Sequence, residues 1–178
     1  MRRQRVFYED ELGCMLGALR GRKRSADDVA MLLLLTGCRK EEIAGADVAR
    51  SAARQARHRL GAPKSAQPLL VPLSRQARAL LPPRATGCVW PTQINWFHWQ
   101  KKIFERTGTS GWHRHDLRRT VARLLANRFK YPPHIIEAVL GHAHLGGAAL
   151  ARIYNTDRYL PEHTEALQRL DDYYDTIT

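Results

Sequence analysis

Two side chains suited to binding a phosphate stand three residues apart at His115 and Arg118, in the run His115-Asp116-Leu117-Arg118-Arg119-Thr120. Residues three apart share one face of a helix. An arginine fork can bind two non-bridging phosphate oxygens while an imidazole donates a third hydrogen bond. The spacing occurs by chance in many helices, so its interpretation depends on the rest of the chain.

The charge of the chain favours an anionic partner. Its 178 residues include 29 lysines and arginines against 17 acids, for a formal charge of +12. Such a field suits a polyanion, and nucleic acid is the leading candidate. The longest apolar run, 29–35, is too short to span a membrane, and acids at Glu9 and Asp10 replace the apolar core of a signal peptide. We expect a cytoplasmic, nucleoid-associated protein.

The length is that of one domain, which we place over residues 1–178. The cysteines are widely spaced, without a Cys-x-x-Cys pair to suggest a zinc site, and their odd number fits poorly with a disulfide framework. We therefore expect buried thiols at Cys14, Cys38 and Cys88. Two histidine pairs have a spacing of two residues, His113 with His115 and His142 with His144. Because this spacing directs the side chains to different faces of a helix, we predict no metal site.

Apolar periodicity predicts a mainly α chain with a small β-sheet, the α+β class. Residues 26–35 are apolar almost all round and should lie centrally in the core. The Ala- and Arg-rich stretch 47–60 is predicted to be helical from its propensity, and 69–71 to be a short strand. The other predicted helices are 9–19, 74–81, 96–106, 116–129, one between Pro132 and Gly141, and one from Pro161. In helix 96–106 the predicted apolar face comprises Trp96, Phe97, Trp99, Ile103 and Phe104.

The order of these segments resembles the catalytic domain of the tyrosine recombinases, the phage integrase family. Four segments are similar to the boxes of that family: Thr36-Gly37-Cys38-Arg39-Lys40-Glu41-Glu42-Ile43, His115 to Thr120, Leu140-Gly141-His142 and Ile153-Tyr154-Asn155. Lys64 lies seven residues before Val71-Pro72-Leu73-Ser74, where the family's β-hairpin lysine precedes a similar sequence. The resemblance covers nearly the whole chain and implies DNA recombination or integration, as in mobile genetic elements.

The resemblance implies a role for each candidate residue. Arg39 and Arg118 would clamp a DNA phosphate, and His115 would donate to it. His142 would bind the phosphate or help to take the tyrosine proton, and Glu42 would brace Arg39. Tyr154 would be the nucleophile, and Lys64 would protonate the departing 5′ oxygen. The chemistry is sound, because fixed donors stabilise the charge that gathers on a phosphoryl group under attack, and it requires no metal or nucleotide cofactor.

Simpler interpretations stay open at this point. Arg39 could be a surface residue paired with Glu42, either histidine could be a core or capping residue, and Lys64 could be an ordinary loop lysine. Tyr159 competes with Tyr154 as nucleophile, although Ile-Tyr-Asn followed by Tyr-Leu-Pro-Glu is similar to the family ending in which the first tyrosine reacts. Relaxation of DNA as by a type IB topoisomerase, or DNA binding without catalysis, are the alternative functions.

The expected partners are double-stranded DNA and other recombinase protomers. Seven basic residues are candidate phosphate contacts: Arg22, Lys23, Arg24, Arg54, Arg57, Lys101 and Lys102. The terminal helix is acidic, with only Arg169 as a cation, so it suits docking on protein. It could pack in cis or, as is common in the family, on a neighbour in a tetramer. The chain begins where the family's catalytic domain begins, so we expect the N-terminal DNA-binding domain to be absent from it.

Overall fold

A computed structural model describes residues 5–20, 25–44, 47–48, 57–60, 69–81, 94–141 and 159–178. Its helices are α1 (Glu9–Leu19), α2 (Ser25–Thr36), α3 (Lys40–Ala44), α4 (Arg75–Ala79), α5 (Trp96–Thr107), α6 (Arg114–Arg123), α7 (Pro133–Val139) and α8 (Leu160–Thr176). A π-helical turn, Leu124–Arg128, continues α6. The strands are β1 (Asp47–Val48), β2 (Arg57–Leu60) and β3 (Leu69–Pro72). The protein is mostly helical, as predicted.

The helix predicted over 47–60 is wrong for the described part of that stretch, which forms β1 and β2. The strands pair antiparallel in the order β1-β2-β3, with Asp47 opposite Arg59 and Leu60 opposite Leu69. Helix propensities differ by less than about 1 kcal/mol per residue, and cross-strand pairs contribute a similar amount each. A local sequence pattern does not report the pairing with β3. This pairing therefore decides the conformation of the described part of 47–60.

Helix α2 is the centre of the core, as its apolar sequence predicts. Val29, Leu32 and Leu34 are fully buried, and α2 contacts α1, α3, α4, α6 and α8. A helix that is apolar all round is stable only when neighbours cover every face. The start of α3 and the first two turns of α6, which carry the candidate phosphate ligands, are thereby attached to the central helix of the core.

An aromatic cluster joins α5 to the segment before α6. The Trp112 ring is fully buried and meets Phe7, Trp99 and Phe104 edge to face, with centroids 5.0–6.1 Å apart. The Trp99 indole donates to Asp27 on α2 at 2.8 Å. The predicted apolar face of α5 is wrong at Phe97, which is 85% exposed, because the cluster covers the side of the helix that carries Trp99 and Ile103.

The cysteines differ in their environments. Cys38 is buried, as predicted, whereas the prediction is wrong for Cys14, which is exposed on α1. Leu12, Met15 and Leu16 form the buried stripe of that helix, and Cys14 falls outside it. Cys88 lies outside the described residues.

Helix α8 packs in cis. Its apolar stripe, which includes Leu167, Leu170 and Tyr174, is buried against the same molecule, and α8 contacts α2, α7, β3 and the π-helical turn. Of the two arrangements that the sequence left open, the structure shows this one. No described helix is long and apolar enough to cross a membrane.

Polar contacts fix the acidic side of α8 to its own chain. Ser74, the N-cap of α4, donates to the buried Asp171 carboxylate. Arg75 pairs with Asp172 at 3.2 Å, and Arg20 with Asp175 at 2.5 Å. Arginines distant in sequence therefore pair with acids of this helix, whose own sequence has only Arg169 as a cation.

His163 on α8 makes the stability dependent on pH. The residue is 1% exposed, and burial lowers its pKa from 6.5 to about 4. Below pH 6.5 the unfolded chain therefore takes up a proton that the folded protein does not, and stability falls until about pH 4. The His163→Leu variant lacks this titration. We expect its free energy of unfolding, relative to that of the wild type, to rise by about 2 kcal/mol when the pH is lowered from 7 to 5.

Denaturant titrations at the two pH values would measure this difference. The buried Asp171 has a raised pKa, with burial as the first cause, so it contributes a pH dependence of opposite sign. It is present in both proteins and cancels in the comparison. A difference that stays constant from pH 7 to pH 5 would show that His163 does not control the acid response.

Candidate phosphate-binding site

The run from His115 to Thr120 lies on α6, where some of its side chains face the core and others face a cleft. Asp116, Leu117 and Thr120 face inward and are buried. The Asp116 carboxylate accepts from the backbone N–H of His113 at 2.8 Å and so begins the helix, while the Thr120 hydroxyl accepts from the Phe7 N–H at 2.9 Å. These residues position the helix, which leaves His115 and Arg118 for binding.

Arg118 connects three segments that are distant in sequence. It is only 4% exposed, and its guanidinium donates to the Gly37 carbonyl at 2.7 Å and to the Leu140 carbonyl. Gly37 ends α2 with φ +65, and a Cβ there would lie 3.1 Å from Val121 and 3.2 Å from Leu140. The positive φ and the close approach both favour glycine here. Arg118 is thus held in one orientation, and the chain leading to His142 is fixed beside it.

Arg39 lies at the start of α3 and is held by Glu42. The Glu42 carboxylate accepts from the Arg39 backbone N–H at 2.6 Å and from its guanidinium at 2.9 Å. The Arg39 side chain remains 44% exposed. The pairing of these two residues that their spacing indicated is present, and it leaves the arginine accessible from solvent.

The charges of Arg39, Arg118 and His115 act on one another. The pKa of Arg118 is lowered by burial and next by Arg39. The pKa of His115 is lowered first by burial, then by Arg119 and Arg118, against the opposing effect of Asp116. The low pKa favours a neutral imidazole at pH 7, which still donates through one N–H. An anion between these groups would relieve the repulsion among them.

These residues line one cleft of about 360 Å³. Its wall contains Arg39, Arg114, Arg118 and His115, with Lys40 and the Cys38 thiol. Burial raises the pKa of Cys38 to about 12, so the thiol stays protonated and is not a nucleophile. Among the described residues of the wall, three arginines and Lys40 outnumber the one acid, Glu41, so the cleft is a candidate site for an anion such as a phosphodiester.

Sequence reasoning missed Arg114 and Lys40 as members of this cleft. Each is adjacent to an assigned residue, Arg114 before His115 and Lys40 after Arg39. Adjacency was the only available signal, and it is a weak one. Neighbours in a helix point in different directions, so adjacency does not predict that two side chains share a cleft. Their shared orientation depends on how α3 and α6 face each other.

The remaining predicted residues divide into two groups. Those outside the described residues are Lys64, His142, Tyr154, Arg22, Lys23, Arg24 and Arg54. Arg57 begins β2, but its side chain is not described, and Lys101 and Lys102 are exposed on α5. The structure therefore brings together Arg39, His115 and Arg118, with Glu42 as a partner of the first, and leaves the other assignments as predictions.

The helical fold carries a cationic cleft, and the sequence specifies the family. Residues 5–159 match the model of the phage integrase family. The chain belongs to this family of tyrosine recombinases, as its sequence motifs indicated. No curated protein matches it. Membership indicates DNA recombination and integration as the field of activity.

Proposed function

We propose that this protein is the catalytic domain of a site-specific DNA recombinase, with the integrase fold in which the three strands form the small sheet. It would cleave and rejoin strands through a 3′-phosphotyrosyl intermediate. The observation that carries the proposal is the position of Arg118, buried and held by two carbonyls, in one cleft with Arg39 and His115. Family membership supplies the substrate class.

In the proposed reaction the Tyr154 oxygen attacks the phosphorus atom. The bond to the 5′ oxygen breaks, the phenol proton leaves toward His142 or solvent, and Lys64 donates a proton to the 5′ oxygen. The product joins a 3′ phosphate to Tyr154 and frees a 5′-hydroxyl. Because one phosphate ester replaces another, a second 5′-hydroxyl can reverse the reaction and reseal the strand without an external energy source.

The cleft residues would accelerate both directions. Attack places additional negative charge on the phosphoryl oxygens, and donors already oriented toward that position need no reorganisation. Arg118 meets this condition because its contacts fix the guanidinium before DNA arrives. Arg39 adds a second charge from the solvent side, and the neutral form of His115 adds a donor without further repulsion.

A suicide substrate tests the proposal directly. The protein is incubated in EDTA with a pool of nicked duplexes of randomised sequence, so that a short cleaved strand diffuses away and the covalent complex accumulates. We expect an SDS-resistant protein–DNA adduct without added metal. DNA binding without an adduct would favour the non-catalytic alternative. Relaxation of a plasmid that lacks paired sites, with no strand exchange, would favour the topoisomerase-like alternative.

Assembly on DNA is a further part of the proposal. We expect several protomers, four in a complete recombination complex, to meet on the DNA. Since the apolar stripe of α8 is buried in cis, docking through this helix would require its release or the use of its exposed residues. Cross-linking of DNA-bound protein would give the number of protomers.

Glu42→Gln should affect the reaction more than the fold. The substitution keeps a hydrogen-bonding group but removes the charge that orients Arg39. We expect adduct formation to slow about tenfold, equivalent to roughly 1.4 kcal/mol. Because the Arg39–Glu42 pair is partly exposed, the free energy of unfolding should fall by less than about 1 kcal/mol.

Rates from the suicide substrate and denaturant titrations measure the two effects. Glu11→Gln is the matched control, because Glu11 also pairs with an arginine, Arg5 at 2.5 Å, but is not among the residues that line the cleft. Equal slowing by the two variants would show that the loss of negative charge, and not the support of Arg39, is responsible.

A further inference from the structure

Arg114 lies in the cleft but has no part in the reaction proposed above. It is the first residue of α6, directly before His115, and is half-buried in the cleft wall. A guanidinium in this position is a potential anion ligand, and its surroundings show what keeps it there.

An aromatic platform holds the Arg114 side chain. Its guanidinium carbon is 5.0 Å from the centroid of the Trp96 ring. Trp96 in turn packs edge to face on Trp99 at 5.3 Å, and Trp99 donates to the buried Asp27. Stacking leaves the N–H edge of an arginine free to bind oxygen atoms. The position of Arg114 is thereby set by the core before a ligand binds.

The charge of Arg114 is incompletely compensated. Within the part of the chain that the structure describes, its buried Nε has no hydrogen-bond partner. The acid whose charge acts on it is Glu41, but the Glu41 carboxylate is bound by Lys40 at 3.1 Å. An unpaired buried donor is unfavourable, and an anion in the cleft would compensate the charge of the guanidinium through its accessible N–H groups.

The charges in the cleft form two groups. Arg39 and Arg118 act on each other and on His115. Arg114 instead interacts with Glu41. Arg114 and Arg118 are four residues apart on α6, about 6 Å along the helix axis. One phosphate bound by Arg39 and Arg118 would leave Arg114 available for a neighbouring one, because phosphates recur in succession along a strand.

We propose that Arg114, stacked on Trp96, binds the DNA phosphate next to the one held by Arg39 and Arg118. The contact fixes the register of the strand, so that a single phosphate faces the nucleophile. Arg114 is a positioning residue in this role. The inference rests on the proposed function, because the second phosphate belongs to the strand that would be cleaved.

The salt dependence of DNA binding tests this contact. Affinity for a short duplex of arbitrary sequence is measured by fluorescence anisotropy over a series of NaCl concentrations, with all proteins carrying Tyr154→Phe so that binding stays non-covalent. We expect Arg114→Gln to reduce the slope of log affinity against log salt by about 0.9, the value for one phosphate contact. In an Arg39→Gln background the same reduction of about 0.9 should follow from Arg114→Gln, since Arg114 contacts a different phosphate from Arg39.

Two variants serve as controls. Arg75→Gln removes the same charge, but Arg75 pairs with Asp172 on the acidic helix α8, so it should leave the slope unchanged. Arg114→Lys should keep the slope while weakening binding several-fold, because lysine retains the charge but loses the planar stack. An unchanged melting temperature of Arg114→Gln would exclude a folding defect as the cause of its effect.

The outcomes separate this inference from the proposed reaction. The inference would be overturned by an unchanged slope in Arg114→Gln or by a double variant no different from Arg39→Gln alone. It would also be overturned if the Tyr154→Phe parent showed no salt-dependent binding. Adduct formation with an unchanged slope would reject Arg114 alone. A reduced slope without any adduct would support the Arg114 contact and reject the cleavage reaction.

Discussion

Tyr154→Phe should abolish the covalent adduct while leaving DNA binding intact. Phenylalanine lacks the oxygen that would bond to phosphorus, so no compensation by neighbouring groups can restore the intermediate. The three residues proposed to bind the phosphate, Arg39, Arg118 and His115, keep their side chains in this variant. We therefore expect no adduct from a suicide substrate and an unchanged affinity for DNA.

Tyr159→Phe is the matched control. Tyr159 lies immediately before α8, half-buried, with its ring 5.1 Å from that of His134. Losing its hydroxyl should leave adduct formation within about threefold of the wild-type rate, less than 1 kcal/mol. The opposite result, an adduct in Tyr154→Phe and none in Tyr159→Phe, would transfer the role of nucleophile to Tyr159.

Arg118→Lys should have the next largest effect, and it should act on both reaction and fold. Lysine keeps the positive charge but cannot donate to the Gly37 carbonyl, the Leu140 carbonyl and a phosphate in the geometry of a guanidinium. We expect adduct formation to slow by about 10³-fold, the upper range for removing one oriented donor. Leaving a buried carbonyl unpaired should cost about 2 kcal/mol of stability.

Arg39→Lys separates the two effects. Arg39 is exposed and bonds to no carbonyl of the core in the contacts shown above, so its replacement should slow the adduct by about 10²-fold and change stability by less than about 1 kcal/mol. Unfolding titrations and single-turnover rates measure both variants. If Arg118→Lys were as stable as Arg39→Lys, the structural role of the two carbonyl contacts would be wrong.

Several elements of the fold could be predicted from sequence because their signals are local. Helix α2 is apolar on every face, α7 begins at proline and is followed by glycine, and the Trp96 to Phe104 spacing is helical. The stretch 47–60 could not be predicted in this way. Its composition favours helix, while its described ends are strands whose partners lie elsewhere in the chain.

The same division applies to the site. The sequence by itself determined the family and the candidate residues Arg39, His115 and Arg118, because their spacing within motifs is a local property. Only the tertiary structure decided that Arg118 joins α6 to the ends of α2 and α7, and that Arg114 stacks on Trp96 in the same cleft. These contacts link residues far apart along the chain, and packing around the buried core, which no local spacing encodes, determines which of them meet.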